Sequence, residues 1–276
     1  SILPRMTRKE AFEVSEIYSI AGLLPSDQPL IKQRPFRAVH HTASNISIVG
    51  GGKNPSPGEI SLAHRGVLFL DEIAEFPSAV LEVLRQPLED RKITVSRASG
   101  SFEFPAHFSL VAAMNPCPCG YYQVPNSDKD CTCSTQQISR YKKKLSGPLM
   151  DRIDLYTDVS PVKFDELSAK EKSESSEKIL ERVQKARNIQ TARFKNAELE
   201  ISSNAEMSVE DVKKFCPLPK DAENLLRTAM KQFCLSARAY HRIIKVSRSI
   251  ADLAGEENIC ITHIAEALQY RKKGDD

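Results

Sequence analysis

The sequence predicts an α/β core built on a parallel sheet, followed by an all-α region. Three observations lead there. Val67-Leu68-Phe69-Leu70 is a short apolar run ending in two carboxylates, Asp71 and Glu72, and such a run fits a strand covered by helices on both faces. Phe108–Ala113 is a second run of that kind, ending at Met114-Asn115-Pro116. After Pro161 comes a charged, serine-rich stretch at 165–178, and beyond it the apolar residues repeat at helical spacing. The expected domains are therefore residues 1–164 and 165–276.

Taken in order, Thr7-Arg8-Lys9-Glu10 is a capping box ahead of Ala11, Val14, Ile17 and Tyr18, and Gly22 follows as a stop. Residues 36–66 are the least periodic part of the first half and hold Gly50-Gly51-Gly52-Lys53-Asn54-Pro55. This is not a phosphate loop, because Lys53 is followed by Asn54 and Pro55 where that loop needs Ser or Thr and an immediate helix. It reads as a mobile glycine loop inserted before the Val67 strand. Pro77 and Ser78 open a helix through Val80, Leu81, Leu84 and Leu88. Ile93–Val95 and Ser101–Phe104 alternate around Ser99-Gly100, a hairpin signature. Ile153–Val159 is a third strand candidate. Ser208, Ser236 and Thr262 each precede a helical pattern in the second half, and Gly255 closes the longest of them.

The 276 residues carry a net charge of +3, too small to argue for or against a nucleic-acid partner. No apolar run approaches the roughly 20 residues of a membrane helix, so a cytoplasmic protein with no membrane partner is expected. Seven cysteines are present. Cys216, Cys234 and Cys260 are scattered through apolar patterns and read as small core residues. The other four form Cys117-Pro118-Cys119 and Cys131-Thr132-Cys133. Four thiolates suit tetrahedral zinc, although the one-residue spacing is shorter than usual. The alternatives are a loop of reduced thiols or an oxidised pair.

Acids at the carboxyl end of a buried parallel strand lie where open α/β folds bind ligands. Asp71 can hold Mg²⁺ through water and Glu72 can orient a water for attack on a phosphoryl group, the Walker B pattern. The plainer alternative is a strand ending in a solvated turn. Asn115, beside the same sheet edge, can hold the attacking water or a phosphate oxygen, or can serve as a turn residue ahead of Pro116. Arg152 and Arg238 can each stabilise phosphoryl charge or make an ordinary surface ion pair. Lys92 and Arg97 on the hairpin, and Arg140, Lys142, Lys143 and Lys144 around Tyr141, can meet a nucleic-acid backbone or form solvated faces. His40 and His41 adjoin the glycine loop without other metal ligands, and neither is assigned to a metal.

Longer motifs point to a family. Phe36–Thr42, Pro57–Glu72, Met114–Tyr122, Ser146–Asp154 and Ser236–Arg242 resemble, in order, the magnesium-chelatase-like AAA+ ATPases, in particular the competence-associated ComM/YifB type. The resemblance spans essentially the whole chain. It implies an AAA+ core with a parallel sheet and an all-α helical lid, binding ATP and Mg²⁺. Asp71 and Glu72 become Walker B, Asn115 sensor 1, Arg152 an arginine finger for a neighbouring subunit, and Arg238 the sensor 2 arginine. Residues 36–66 become the helix-2 insertion and Lys92–Phe104 the pre-sensor hairpin, with Lys53, Lys92 and Arg97 facing a pore. It further implies a homo-hexameric ring acting on DNA in branch migration. Two rivals remain: a chelatase-like ATPase remodelling a protein partner, and a zinc-stabilised module with no enzymatic activity.

One departure is large, because no G-x-x-x-x-G-K-[ST] loop occurs. The resemblance places that loop, on the central strand, just before Ile2. A fragment of a longer protein is therefore expected, inactive alone and with a sheet closed up, distorted or paired with another copy at the gap.

Overall fold

The computed structural model describes residues 2–52, 55–97, 100–124, 129–161 and 174–271, without the side chains of residues 96 and 97. Lys53 and part of the 165–178 stretch lie outside the described residues, as does the Arg97 side chain. The chain divides into two compact units: Arg5–Arg152 with Ser160–Lys163, and Ile153–Val159 with Ser1–Pro4 and Phe164–Asp276.

The first unit opens with α1 (Arg8–Ile20), whose Thr7/Glu10 capping box is formed as the sequence predicts. Its centre is a parallel sheet in the order β1 (Phe36–Val39), β4 (Val67–Leu70), β7 (Ser109–Ala112). Val39 pairs with Leu70, and Leu70 with Ala112. The middle strand is β4, with Leu68 and Leu70 fully buried, which is why its apolar run was the clearest strand signal. The outer strand is β7, and Ser109, Val111 and Ala112 are exposed. The expected second buried strand is thus an edge: among the described residues no strand pairs with its far side.

The segment read as a glycine loop is more ordered than expected. Its first residues form β1, so Phe36–Val39 belong to the sheet and not to an insertion. Helix α2 (Asn45–Val49) follows, and then Gly50–Gly51 (β2) pairs with Ser56–Pro57 (β3) ahead of α3 (Glu59–Leu62). Gly50 and Gly58 meet so closely that a Cβ on Gly58 would lie 2.3 Å from the Gly50 nitrogen. Glycine here serves close backbone approach rather than mobility.

The predicted Pro77 helix is two short pieces, α4 (Ser78–Val83) and α5 (Arg85–Asp90). The hairpin forms as expected from β5 (Lys92–Arg97) and β6 (Gly100–Pro105). Helices α6 (Thr135–Lys143) and α7 (Gly147–Met150) complete the unit. Leu68, Leu70, Phe76, Leu81, Leu84 and Ile93 make the centre of its core.

The second unit is helical: α8 (Ser176–Asn196), α9 (Val209–Phe215), α10 (Lys220–Gln232), α11 (Ala237–Ala254) and α12 (Ile261–Gln269). Ser208 and Ser236 cap α9 and α11, and Gly255 ends α11 with φ +78°. The last helix is capped by Cys260, not Thr262. Ile153–Val159, expected as a third strand, forms none. Its Tyr156 amide donates instead to the Tyr270 carbonyl at 2.7 Å, after α12. A strand needs a neighbouring ladder, and none runs beside this segment among the described residues. Of the three scattered cysteines only Cys216 is buried; Cys234 and Cys260 are exposed. No helix among the described residues is long and apolar enough to cross a membrane.

Candidate functional site

Three parallel strands deliver polar residues to one sheet edge. The ladder continues past β4, because the Ala113 amide donates to Leu70 O and the Ile73 amide to Ala113 O, each at 3.0 Å. Between those bonds the chain turns sharply at Glu72, whose φ of 51° and ψ of 48° lie in the left-handed region. A non-glycine residue there costs on the order of 1 kcal/mol. Asp71 Oδ1 accepts from the Glu72 amide at 3.0 Å, steadying the turn. Both acids are exposed, and their carboxylates are open to a hydrated cation and a water. Asn115, three residues beyond β7, is exposed beside them in the chain order of the ladder.

A residue that the sequence left unassigned joins this edge. His41, two positions after β1, sets its Nδ1 3.5 Å from Glu72 Oε2. Its ring lies edge-on to Phe76, with centroids 6.4 Å apart, and 4.2 Å from that of His40. The available signal was placement alone: His41 follows β1 as Glu72 follows β4, and only the register shows that they meet.

Arg152 is turned inward. It is 8% exposed, paired with Glu89 Oε2 at 2.5 Å and bonded to the Pro148 carbonyl. The arginine is buried rather than at the surface, and it pairs with Glu89. Arg238 lies in the first turn of α11 in the helical unit and is exposed. On the hairpin, exposed Lys92 pairs with Glu103 at 2.8 Å. The basic group on α6 is split: Lys144 pairs with Glu75, while Tyr141 is 4% exposed. Burial raises the Tyr141 phenol above its usual pKa, Glu75 adds to that, and the nearby Asn115 backbone opposes it. Buried beside the Asn115 backbone, Tyr141 offers no ring for base stacking.

Cys117, Cys119, Cys131 and Cys133 converge, with all four Sγ atoms within 4.8 Å of one another. The Tyr122 amide donates to Cys117 Sγ at 3.3 Å. The Tyr121 amide leads in lowering Cys119 to about 5. The donor set can hold a metal, and its all-sulfur chemistry excludes Mg²⁺ and Ca²⁺.

The two units fall largely within two ranges that match known families. Residues 1–167 match the family described as magnesium chelatase, subunit ChlI, and residues 173–271 match its C-terminal family. The chain belongs to the magnesium-chelatase-like family. Its α/β unit and helical region correspond to the AAA+ core and helical lid of that family. Over 98% of the chain it is 45% identical to competence protein ComM of Haemophilus influenzae, covering 51% of that protein. Over 98% it is also 40% identical to the uncharacterized protein YifB of Escherichia coli, covering 51%. A shorter match, 29% identity over 35% of the chain and 13% of the relative, links it to the archaeal Lon protease of Methanocaldococcus jannaschii. The chain thus spans about half the length of the magnesium-chelatase-like relatives it matches most fully.

Proposed function

We propose that the chain supplies the Walker B, sensor and lid parts of an AAA+ ATPase that works as a homo-hexameric motor on DNA. The single observation that carries the hydrolysis reading is the β4 end, where Asp71 and left-handed Glu72 open to solvent with His41 against Glu72. Asp71 would hold Mg²⁺ through water, Glu72 would orient the attacking water, and Asn115 would contact that water or the γ-phosphate. His41 would hold Glu72 aside until the phosphate arrives. Arg238 would meet the nucleotide from the lid, and Arg152 would serve a neighbouring site once released from Glu89. The 276 residues contain no phosphate loop, so the reading pairs them with one supplied from outside, and alone they would be inactive. The likeness to a competence protein supports DNA as the substrate, and branched DNA as the form to test first.

The test is ATP hydrolysis by the chain joined to a phosphate-loop segment, with and without branched DNA. Glu72→Gln should lower kcat by about 100-fold or more, since one positioned group is commonly worth that much. Unchanged kcat would remove Glu72 from the mechanism. A second reading, an ATPase that remodels a protein partner, is favoured by one observation: Lys92 and Lys144 are already paired and Tyr141 is buried, leaving less free basic and aromatic surface. Hydrolysis that branched DNA does not stimulate, with no salt-sensitive DNA binding, would select that reading.

A further inference from the structure

We infer that Cys117, Cys119, Cys131 and Cys133 bind one zinc ion as a tetrathiolate, and that this ion holds Asn115 in place at the sheet edge. A tetrahedral zinc with bonds of about 2.3 Å sets its sulfurs about 3.8 Å apart. Here Cys117 and Cys119 are 3.3 Å apart, Cys119 and Cys131 3.5 Å, and Cys117 and Cys131 3.7 Å. These separations leave room for one ion. They are too short for the ligands of a multi-iron cluster, whose irons and sulfides would hold the cysteines further apart. They are also far beyond the roughly 2.05 Å of a disulfide. The surroundings are those of a structural zinc knot. Cys117 is fully buried, the Tyr122 amide donates to its sulfur, and among the described residues no carboxylate or imidazole joins the cluster.

The position gives the ion its consequence. Cys117 follows Asn115 by two residues. Cys133 directly precedes Ser134, which caps α6 through a capping box with Gln137. Helix α6 then brings the buried Tyr141 back beside the Asn115 backbone. The ion therefore closes a circuit: the end of β7, the knot, α6, and Tyr141 back to Asn115. Without it, the exposed Asn115 is held through its own strand. Asn115 matters to catalysis only on the reading proposed above; the metal site itself does not depend on that reading.

The test starts with metal content of the chain purified without chelator, together with cobalt substitution. The expected result is about one zinc per chain, and on exchange with Co²⁺ the visible spectrum of a tetrahedral tetrathiolate. Metal-free protein, or iron with a cluster spectrum, overturns the proposal. Hydrogen exchange then tests the consequence. Removing zinc, or Cys131→Ser, should speed amide exchange by about tenfold or more at residues 114–122 and 134–141, with α11 unchanged. Unchanged exchange at Asn115 and Tyr141 would overturn the positioning role even with zinc bound. Equal acceleration in α11 would do the same, because it would mean a fold-wide effect. Cys131→His, which keeps a zinc ligand, should retain the metal and most of the protection.

Discussion

The two units hold one prominent set of carboxylates each, in opposite settings. In the α/β unit the acids proposed for hydrolysis, Asp71 and Glu72, stand exposed at the end of a strand. In the helical unit a charged network is buried. Asp252, with no exposed side-chain surface, accepts from Arg193 at 3.0 Å, Arg248 at 3.1 Å and Asn204 at 2.7 Å. Arg248 also donates to the carbonyls of Glu256 and Glu257 just past the end of α11, where the helix dipole is negative. A charge left at a sheet edge can meet a ligand, whereas one satisfied by three neighbours is committed to holding helices together. On the proposed function, the difference separates residues that serve chemistry from residues that serve the scaffold.

The largest expected effect comes from breaking the buried network. Asp252→Ala leaves two arginines without their shared partner, and should destabilise the helical unit by about 3–5 kcal/mol. Hydrogen exchange across α8 and α11 would report it; a loss under 1 kcal/mol would mean that the network is dispensable and the contrast false. Next comes acid. His64 in the α/β unit is buried, its Nδ1 accepts from the His107 amide at 3.1 Å, and its Nε2 faces Glu13 at 3.3 Å. Burial, with Arg65 beside it, lowers its pKa from 6.5 to about 4. The folded state then binds fewer protons than the unfolded chain between those values. Stability is full above about pH 6.5 and falls by about 3 kcal/mol as pH drops toward 4. Glu13, itself lowered despite its burial by Arg65 and His64, acts in the same direction at lower pH. Denaturant midpoints against pH should show this fall, and His64→Gln should flatten it. The smallest effect lies at the exposed edge. Glu72→Gly relieves the left-handed turn and should change stability by no more than about 1 kcal/mol, in the stabilising direction. A larger loss would show that the Glu72 side chain supports the fold.

The sequence made β4, its two acids, the hairpin and most helix caps legible, because each signal is local: an apolar run, an alternation, a Ser or Thr placed three residues before its partner. What it hid depends on distant pairings. β1 is four residues long and carries an arginine, Arg37, whose charge is met by Glu59 at 2.6 Å; only β4 beside it makes it a strand. His41 meets Glu72 through the parallel register of Val39 with Leu70. Ile153–Val159 has strand-like residues but no ladder to join. The cysteine pairs were legible as ligands, whereas the circuit through Tyr141 to Asn115 was not, since nothing local links an α6 tyrosine to that asparagine.

If Arg152 serves a neighbouring subunit as proposed, its pair with Glu89 has a consequence in populations. A guanidinium already bound in its own subunit must be freed before it can serve another, and the freeing is subtracted from whatever it gains there. If release costs about 2.7 kcal/mol, about one molecule in a hundred presents a free arginine at any moment, and affinity for the partner falls by the same factor. A neighbour that draws Glu89 away would return that hundredfold without adding a contact of its own, so the proposed association would be sensitive to a single carboxylate.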